Sequence, residues 1–265
     1  MHRLAWVLLA CLAGCAREAA VAGTTDHAPP VAVPPARPHR IVVWSTDSMR
    51  DAMARLARHY ETAVPGAKVE VWCAGGAELL AKRTAGGPCD VLVIGDSSQM
   101  SRFAAAAHLA AGSPAELARS RIAIVTAAGN PQRITGLRDL VRPGLRLAFG
   151  QRSSSIGRYT RWALSHLLLE AAPAVELPTA AAVLAAVRDG KADAGVVYTT
   201  TFADAGAAVA RVDVPPDENQ PVLYSISVDR EAQEPAGAAA FRAVALSDAG
   251  QAILRDCGFL PPGAK

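Results

Sequence analysis

The sequence has few aromatic residues, few cysteines and little net charge. Aromatic residues make up 5% of its 265 residues, and none of its five cysteines forms a Cys-x-x-Cys pair or a cluster with histidine, so a structural zinc site is not expected. The formal net charge is +3, and no block of lysine and arginine with interleaved aromatic residues occurs. Nucleic acid is therefore not an expected partner. With 51% hydrophobic and 19% charged residues, the composition is that of an ordinary globular protein.

The N-terminus has the pattern of an export signal. A basic start precedes an apolar stretch from Leu4 to Leu12, which is far shorter than the about 20 residues of a membrane-spanning helix. The next residues, Leu-Ala-Gly-Cys, resemble the lipobox of bacterial lipoproteins, in which cleavage precedes a cysteine that is then lipidated. Residues 1–15 are therefore predicted to be a lipoprotein signal peptide ending at the lipidation site Cys15. A plain secretory signal cut a few residues later is the alternative.

Residues 16–39 are rich in alanine and proline and lack periodicity, which predicts a flexible tether. Either kind of signal implies a periplasmic or otherwise extracytoplasmic protein, and the lipid at Cys15 would hold it at the membrane. Cys73, Cys89 and Cys257 allow at most one internal disulfide, and the sequence does not select the pair.

The stretch from Ile41 to His59 contains the first candidate site. A buried strand over Ile41–Trp44 is followed by a polar turn and then by a helix with a periodic apolar face. Because the turn joins the carboxyl end of a strand to the amino end of a helix, unpaired N–H groups and the Ser48 hydroxyl meet there, which suits a small anion. Simple helix capping by Ser48 or Asp47 is the alternative.

Similar turns recur along the chain. They are the glycine turn at Gly75-Gly76, the serine-rich turn over 150–157, the helix start after Thr179, and Tyr198 at the end of the strand Ala192–Tyr198. Taken singly, the glycine turn, the serine turn and Tyr198 have plainer explanations as a glycine loop, a surface loop and a packed tyrosine. The helix behind the serine turn is predicted over Arg158–Glu170, with Trp162 and Leu168 among the residues facing the core.

Alternating strands and helices predict an α/β fold with two lobes and mainly parallel sheets. The predicted first lobe combines residues 40–119 and 215–265, and the second lobe comprises residues 120–214. Ligands of such sheets bind beyond the carboxyl ends of the strands, which is where all the turns described above lie. The predicted pocket is therefore the cleft between the lobes.

The residues at these turns are neutral hydrogen-bond donors. A site that offers hydroxyl and helix N-terminal donors but no acceptor favours a ligand without protons, which is a fully ionised oxyanion. Arg152 and Arg158 are the cations near enough to remain candidates for pairing with it. Asp47 lies next to Ser48, and its carboxylate would repel a dianion if it pointed into the site.

Four motifs, in order, carry a family resemblance: VVWSTDSM, AGGPCDVLVIG, GRYTRWAL and GVVY. Over Ile41 to Leu260 the chain resembles the bacterial periplasmic molybdate-binding proteins of ABC importers. The resemblance implies a type II periplasmic-binding-protein fold with a hinge between the lobes, which captures molybdate or tungstate and delivers it to an ABC permease. The ligand-binding residues it implies are Ser48, Gly76, Ile156, Ala180 and Tyr198.

The second turn departs from the family pattern. Where the family commonly has a run of serines, this chain has Gly75-Gly76-Ala77, so one hydroxyl donor is missing although the amides remain. Ser155 is a candidate replacement. These changes leave the preferred anion open.

The resemblance implies no cofactor, no bound bare metal cation and a monomer. A binder of another oxyanion, such as sulfate or phosphate, is the nearest alternative, and a sensor or adhesin with the same fold is another. An exported hydrolase would use Ser48 with His59 or His166 as nucleophile and base. However, both histidines lie well past the turns, and no Gly-x-Ser-x-Gly motif occurs.

Overall fold

A computed structural model describes residues 39–203 and 205–264. The predicted signal peptide, Cys15 and the tether up to residue 38 lie outside the described residues. The strands within these ranges are β1 (His39–Thr46), β2 (Ala67–Ala74), β3 (Val91–Gly95), β4 (Ala115–Ser120), β5 (Ile122–Ala127), β6 (Leu147–Gly150), β7 (Val175–Leu177), β8 (Ala194–Tyr198), β9 (Val209–Asp213) and β10 (Val222–Val228). The α-helices are α1 (Arg50–Ala63), α2 (Gly76–Thr84), α3 (Ser97–Ala105), α4 (Ser155–His166), α5 (Ala180–Arg188), α6 (Pro235–Leu246) and α7 (Asp248–Asp256).

The described strands form two five-stranded sheets, one in each of two lobes. The order is β2-β1-β3-β10-β4 in lobe 1 and β7-β6-β8-β5-β9 in lobe 2. In each sheet one strand, β10 or β5, is antiparallel to both of its neighbours, and the other four run in a common direction. The predicted α/β fold with two lobes and mainly parallel strands is confirmed.

The two reversed strands each follow a crossing between the lobes. The chain leaves lobe 1 between β4 and β5 and returns between β9 and β10. Buried Asn219 joins the crossings: its Nδ2 donates to the carbonyl of Ile122 (2.8 Å), and its Oδ1 accepts from the Ile122 N–H (3.1 Å). The lobe boundaries at residues 119/120 and 214/215 stay a prediction.

The apolar pattern explains how the elements pack. All five residues of β3 are buried, as expected for a continuous apolar strand covered on both faces. Helix α1 buries one stripe along its length, which includes Met53, Leu56 and Tyr60. No helix within the described ranges has both the length and the apolar character required to cross a membrane.

Two details of the sequence prediction are wrong. Helix α4 covers Ser155–His166, so it begins earlier and ends earlier than predicted. Trp162 is 38% exposed and stacks on His166 with 5.1 Å between the ring centroids. Leu168 is 92% exposed and has φ +56°, because the chain has already left the helix there and the 3.6-residue period no longer applies.

Within the described ranges, three cysteines are buried thiols with no disulfide among them. These are Cys73, Cys89 and Cys257. Burial raises the pKa of the Cys73 thiol to about 11. The thiol is therefore protonated near neutral pH and a poor nucleophile.

Candidate functional site

A cleft of about 800 Å³ is lined by residues from both lobes. The five residues that the sequence analysis selected all lie in its wall: Ser48 and Gly76 from lobe 1, and Ile156, Ala180 and Tyr198 from lobe 2. This volume is in the range of small-molecule sites. The fold thus brings the five predicted positions to one cavity.

Helix N-termini supply backbone donors on the lobe 2 side. The first N–H groups of an α-helix have no partner within the helix. The Ser154 hydroxyl accepts from the N–H of Gly157 (3.2 Å), and the Thr179 hydroxyl accepts from the third residue of α5 (3.1 Å). Because both caps serve the third N–H, the earlier amides, including those of Ile156 and Ala180, remain for a ligand in the cleft.

Helix α2 supplies the corresponding donors in lobe 1. Its N-cap is Gly75, and no side chain accepts a hydrogen bond from its first turn. The amides at Gly76 and Ala77 therefore lie uncapped at the cleft wall. As the sequence indicated, this turn carries no hydroxyl.

The Ser48 hydroxyl is oriented by a residue that the sequence analysis missed. Tyr224 on β10 donates its hydroxyl hydrogen to Ser48 Oγ (3.1 Å). Because this bond uses an acceptor position of the serine oxygen, the serine proton remains available to a ligand. Gly95 makes room for Tyr224, since a Cβ there would lie 2.3 Å from the tyrosine ring. No local signal distinguishes Tyr224 from an ordinary packed strand residue.

Tyr198 is a second neutral hydroxyl at the cleft. It lies at the end of β8 and is almost fully buried. Burial raises the pKa of Tyr198 well above its ordinary value, and the neighbouring Tyr224 and Tyr159 add to the shift. Burial also raises the pKa of Tyr224. Both hydroxyls are therefore protonated near neutral pH and act as uncharged donors.

Among the described residues, the buried part of the cleft wall is uncharged. Its buried residues are neutral, and the charged side chains that line the cleft are at its partly or fully exposed positions, which are Asp47, Arg50, Asp51, Arg55, Glu78, Arg188 and Asp256. Asp47 pairs with Arg50 at 2.7 Å. An inward Asp47 would repel a dianion, and this pairing offsets its charge. Arg152 is exposed and is not part of the wall.

Arg158 joins the two lobes. It belongs to α4 of lobe 2, and its Nε donates to Oδ2 of Asp96 in lobe 1 (3.1 Å), while its Nη2 contacts the same oxygen. Asp96 also caps α3 by accepting from the Ser98 N–H (2.8 Å) and has a strained φ of +150°. Burial raises the pKa of Asp96, but hydrogen bonds from Ser98 and Arg158 outweigh it, so the pKa is lowered.

The described residues place no histidine beside Ser48. Neither His59 nor His166 lies in the cleft wall, and His166 stacks on Trp162 instead. The serine therefore lacks the adjacent base that a nucleophile requires. Within the described ranges no group of three or more His, Cys, Asp or Glu residues has the geometry to hold a metal ion.

Comparison with known proteins identifies the relatives of this chain. Residues 41–260 match the model of the family described as bacterial extracellular solute-binding protein. The chain is 33% identical over 240 residues to the molybdate-binding protein ModA of Mycobacterium tuberculosis, covering 91% of this chain and 92% of that relative.

Two solved structures share the fold. The periplasmic molybdate-binding protein of Azotobacter vinelandii has a TM-score of 0.72 and 18% identity, covering 84% of this chain and 99% of that one. The sulfate-binding protein SubI of Mycobacterium tuberculosis has a TM-score of 0.74 and 18% identity, covering 84% and 87% respectively. At this identity both similarities concern the fold alone.

Proposed function

This chain belongs to the bacterial extracellular solute-binding protein family, and from that premise we propose that it binds molybdate or tungstate between its lobes. In this proposal the protein is a binding component that delivers the oxyanion to an ABC permease. Its family consists of solute-binding proteins, so the expectation that it is not an enzyme is confirmed.

The observation that carries the proposal is that the described residues in the buried wall of the cleft are uncharged. Ser48, Tyr198 and the amides of three helix N-termini are hydrogen-bond donors, so they need acceptor oxygens in the ligand and no proton on it. A fully ionised oxyanion offers only acceptors and gains from each helix terminus about 0.3–1 kcal/mol. Such donors replace the water around the anion without requiring a buried cation.

Sulfate is the second candidate, favoured by the fold shared with a sulfate-binding protein. Sulfate is also a dianion with four oxygen acceptors, so the same donors would suit it. The 33% identity to a molybdate-binding relative favours molybdate and tungstate over sulfate. Direct competition between the anions decides this point.

The proposal extends to where the protein is held and to how its lobes close. We propose that residues 1–14 are removed, that Cys15 becomes the lipidated first residue and, with the tether, holds the protein outside the cytoplasm, and that the protein acts as a monomer. We also propose that the two crossings act as a hinge, with Asn219 keeping them side by side.

The test is a thermal melt of residues 39–265 with molybdate, tungstate, sulfate or phosphate. At about 100 times the dissociation constant, a bound anion stabilises a protein by about 2.7 kcal/mol. For a chain of this size the melting temperature should rise by about 5–10 °C. We expect this rise with molybdate and tungstate and a smaller one with sulfate. A melting temperature unchanged by all four anions would reject the function.

Replacement of Asp96 by asparagine tests whether the pair with Arg158 supports closure. Asparagine retains the cap on α3 and tolerates a positive φ, but it removes the charge opposite Arg158. If the closed arrangement loses about 1–2 kcal/mol, the molybdate dissociation constant rises about 5- to 30-fold. Isothermal titration calorimetry measures this change.

The matched control is Asp193→Asn, which breaks an ion pair with Arg146 inside lobe 2. Its dissociation constant should equal that of the wild type. Because the pKa of Asp96 is lowered, its charge is lost only in acid, below the usual aspartate range. The effect of Asp96→Asn should therefore be constant from about pH 5 to about pH 8. Equal effects of the two variants would contradict a role in closure.

A further inference from the structure

Gln99 has an unsatisfied side chain at the cleft. It lies in the first turn of α3, is 4% exposed and forms part of the cleft wall. Its Oε1 is buried and has no hydrogen-bond partner among the described residues. Buried polar atoms without partners are rare in folded proteins because each one loses its bonds to water. Because Oε1 is an acceptor, an oxyanion that offers only acceptors cannot satisfy it, and the amide nitrogen Nε2 is the end of this side chain that can meet such a ligand.

Gln99 packs beside Gly76, the first residue of α2. A Cβ added at Gly76 would lie 3.2 Å from Gln99 Cγ and 3.5 Å from Gln99 Cδ. A side chain at position 76 would therefore crowd the glutamine, which would have to shift by a few tenths of an ångström. The glycine thus supplies a backbone amide and leaves room for the carboxamide in its present position.

The Gln99 carboxamide makes no hydrogen bond to a described residue at either end, and Gln99 lines the cleft. Oε1 is fully buried, whereas Nε2 keeps some accessible surface. An amide nitrogen carries two hydrogens and accepts none, so it complements an ionised oxyanion. From these observations we propose that Gln99 Nε2 donates a hydrogen bond to the bound oxyanion. This inference rests on the proposed function and assigns to that site a residue that determines its strength and anion preference.

Gln99→Leu is the main test, because leucine is an apolar side chain of similar size that lacks the two N–H donors of the amide. Molybdate titration calorimetry should show a dissociation constant about 10-fold or more above that of the wild type. Without ligand, the melting temperature of this variant should equal or exceed that of the wild type, because an unpartnered buried amide has been removed. A merely structural glutamine would give the opposite result, with lower stability and unchanged affinity.

Gln99→Glu provides a second, isosteric test with a pH profile. A carboxylate facing a dianion should weaken binding by more than the leucine substitution near neutral pH. Its affinity should recover toward about pH 5, where a protonated carboxyl group can donate. The matched control is Gln132→Leu at an exposed position outside the cleft, which should bind as the wild type does.

The outcomes separate this inference from the function on which it rests. If wild-type protein binds none of the four anions, the function fails and the inference with it. If the wild type binds and Gln99→Leu binds within about two-fold of it, the inference alone is overturned. Equal affinity of Gln99→Glu and wild type at about pH 8 would also overturn it. Weaker binding by both variants, with undiminished stability of Gln99→Leu, supports it.

Discussion

Replacing Arg83 with leucine is expected to lower the free energy of unfolding by about 3–5 kcal/mol. The Arg83 side chain is 6% exposed and that of Asp229 is fully buried at 0%. Two bonds join them, Nε to Oδ2 at 2.7 Å and Nη2 to Oδ1 at 2.9 Å. Hydrogen bonding to Asp229 is the largest cause of the raised pKa of Arg83. Leucine would leave the Asp229 carboxylate charged, buried and without its partner.

Thermal and urea unfolding measure this loss, which should lower the melting temperature by about 6–20 °C. The double variant Arg83→Leu/Asp229→Leu should recover much of the stability, because it removes both charges from the core. The matched control is Arg40→Leu, whose pair with Glu70 is exposed, with 60% of the arginine side chain accessible. It should leave stability almost unchanged. A loss below about 1 kcal/mol in Arg83→Leu would contradict the prediction.

The double variant Ser48→Ala/Tyr198→Phe is expected to weaken molybdate binding by at least about 100-fold. Each substitution removes one hydroxyl donor, and a hydrogen bond to a charged group contributes about 1.5–3 kcal/mol. Because the two hydroxyls belong to different lobes, their loss also weakens the closure that the anion would stabilise. Titration calorimetry of the single and double variants measures both effects.

The controls use the same chemical changes outside the cleft. Ser101→Ala removes an exposed hydroxyl that bonds within its own helix, and Tyr60→Phe removes a buried hydroxyl that bonds to the carbonyl of Gly237. Tyr60→Phe should reduce stability slightly, and neither control should change affinity. Because burial raises the pKa of Tyr198, wild-type affinity should be constant from about pH 6 to about pH 9. Unchanged affinity in the double variant would exclude the proposed contacts.

The positions in the cleft wall could be predicted from the sequence, but most of the contacts that hold them in place could not. Ser48 and Tyr198 were recognisable because each stands at the end of a strand, a position that the local pattern of apolar residues reveals. Tyr224 was not, because its role is a bond to a serine 176 positions away. Leu168 was misplaced because the end of α4 depends on packing as well as on periodicity.

The amino-acid sequence by itself determined the α/β class, the alternation of strands and helices, and the polar turns that become the cleft wall. These properties are local, since period, glycine position and helix-start chemistry act within a few residues. Only the tertiary structure decided which groups complete the site: Tyr224 on Ser48, Asp96 on Arg158, and Gln99 beside Gly76. The physical reason is that a hydrogen bond or an ion pair requires contact, and contacts between residues distant in the sequence form only when the sheets and lobes pack.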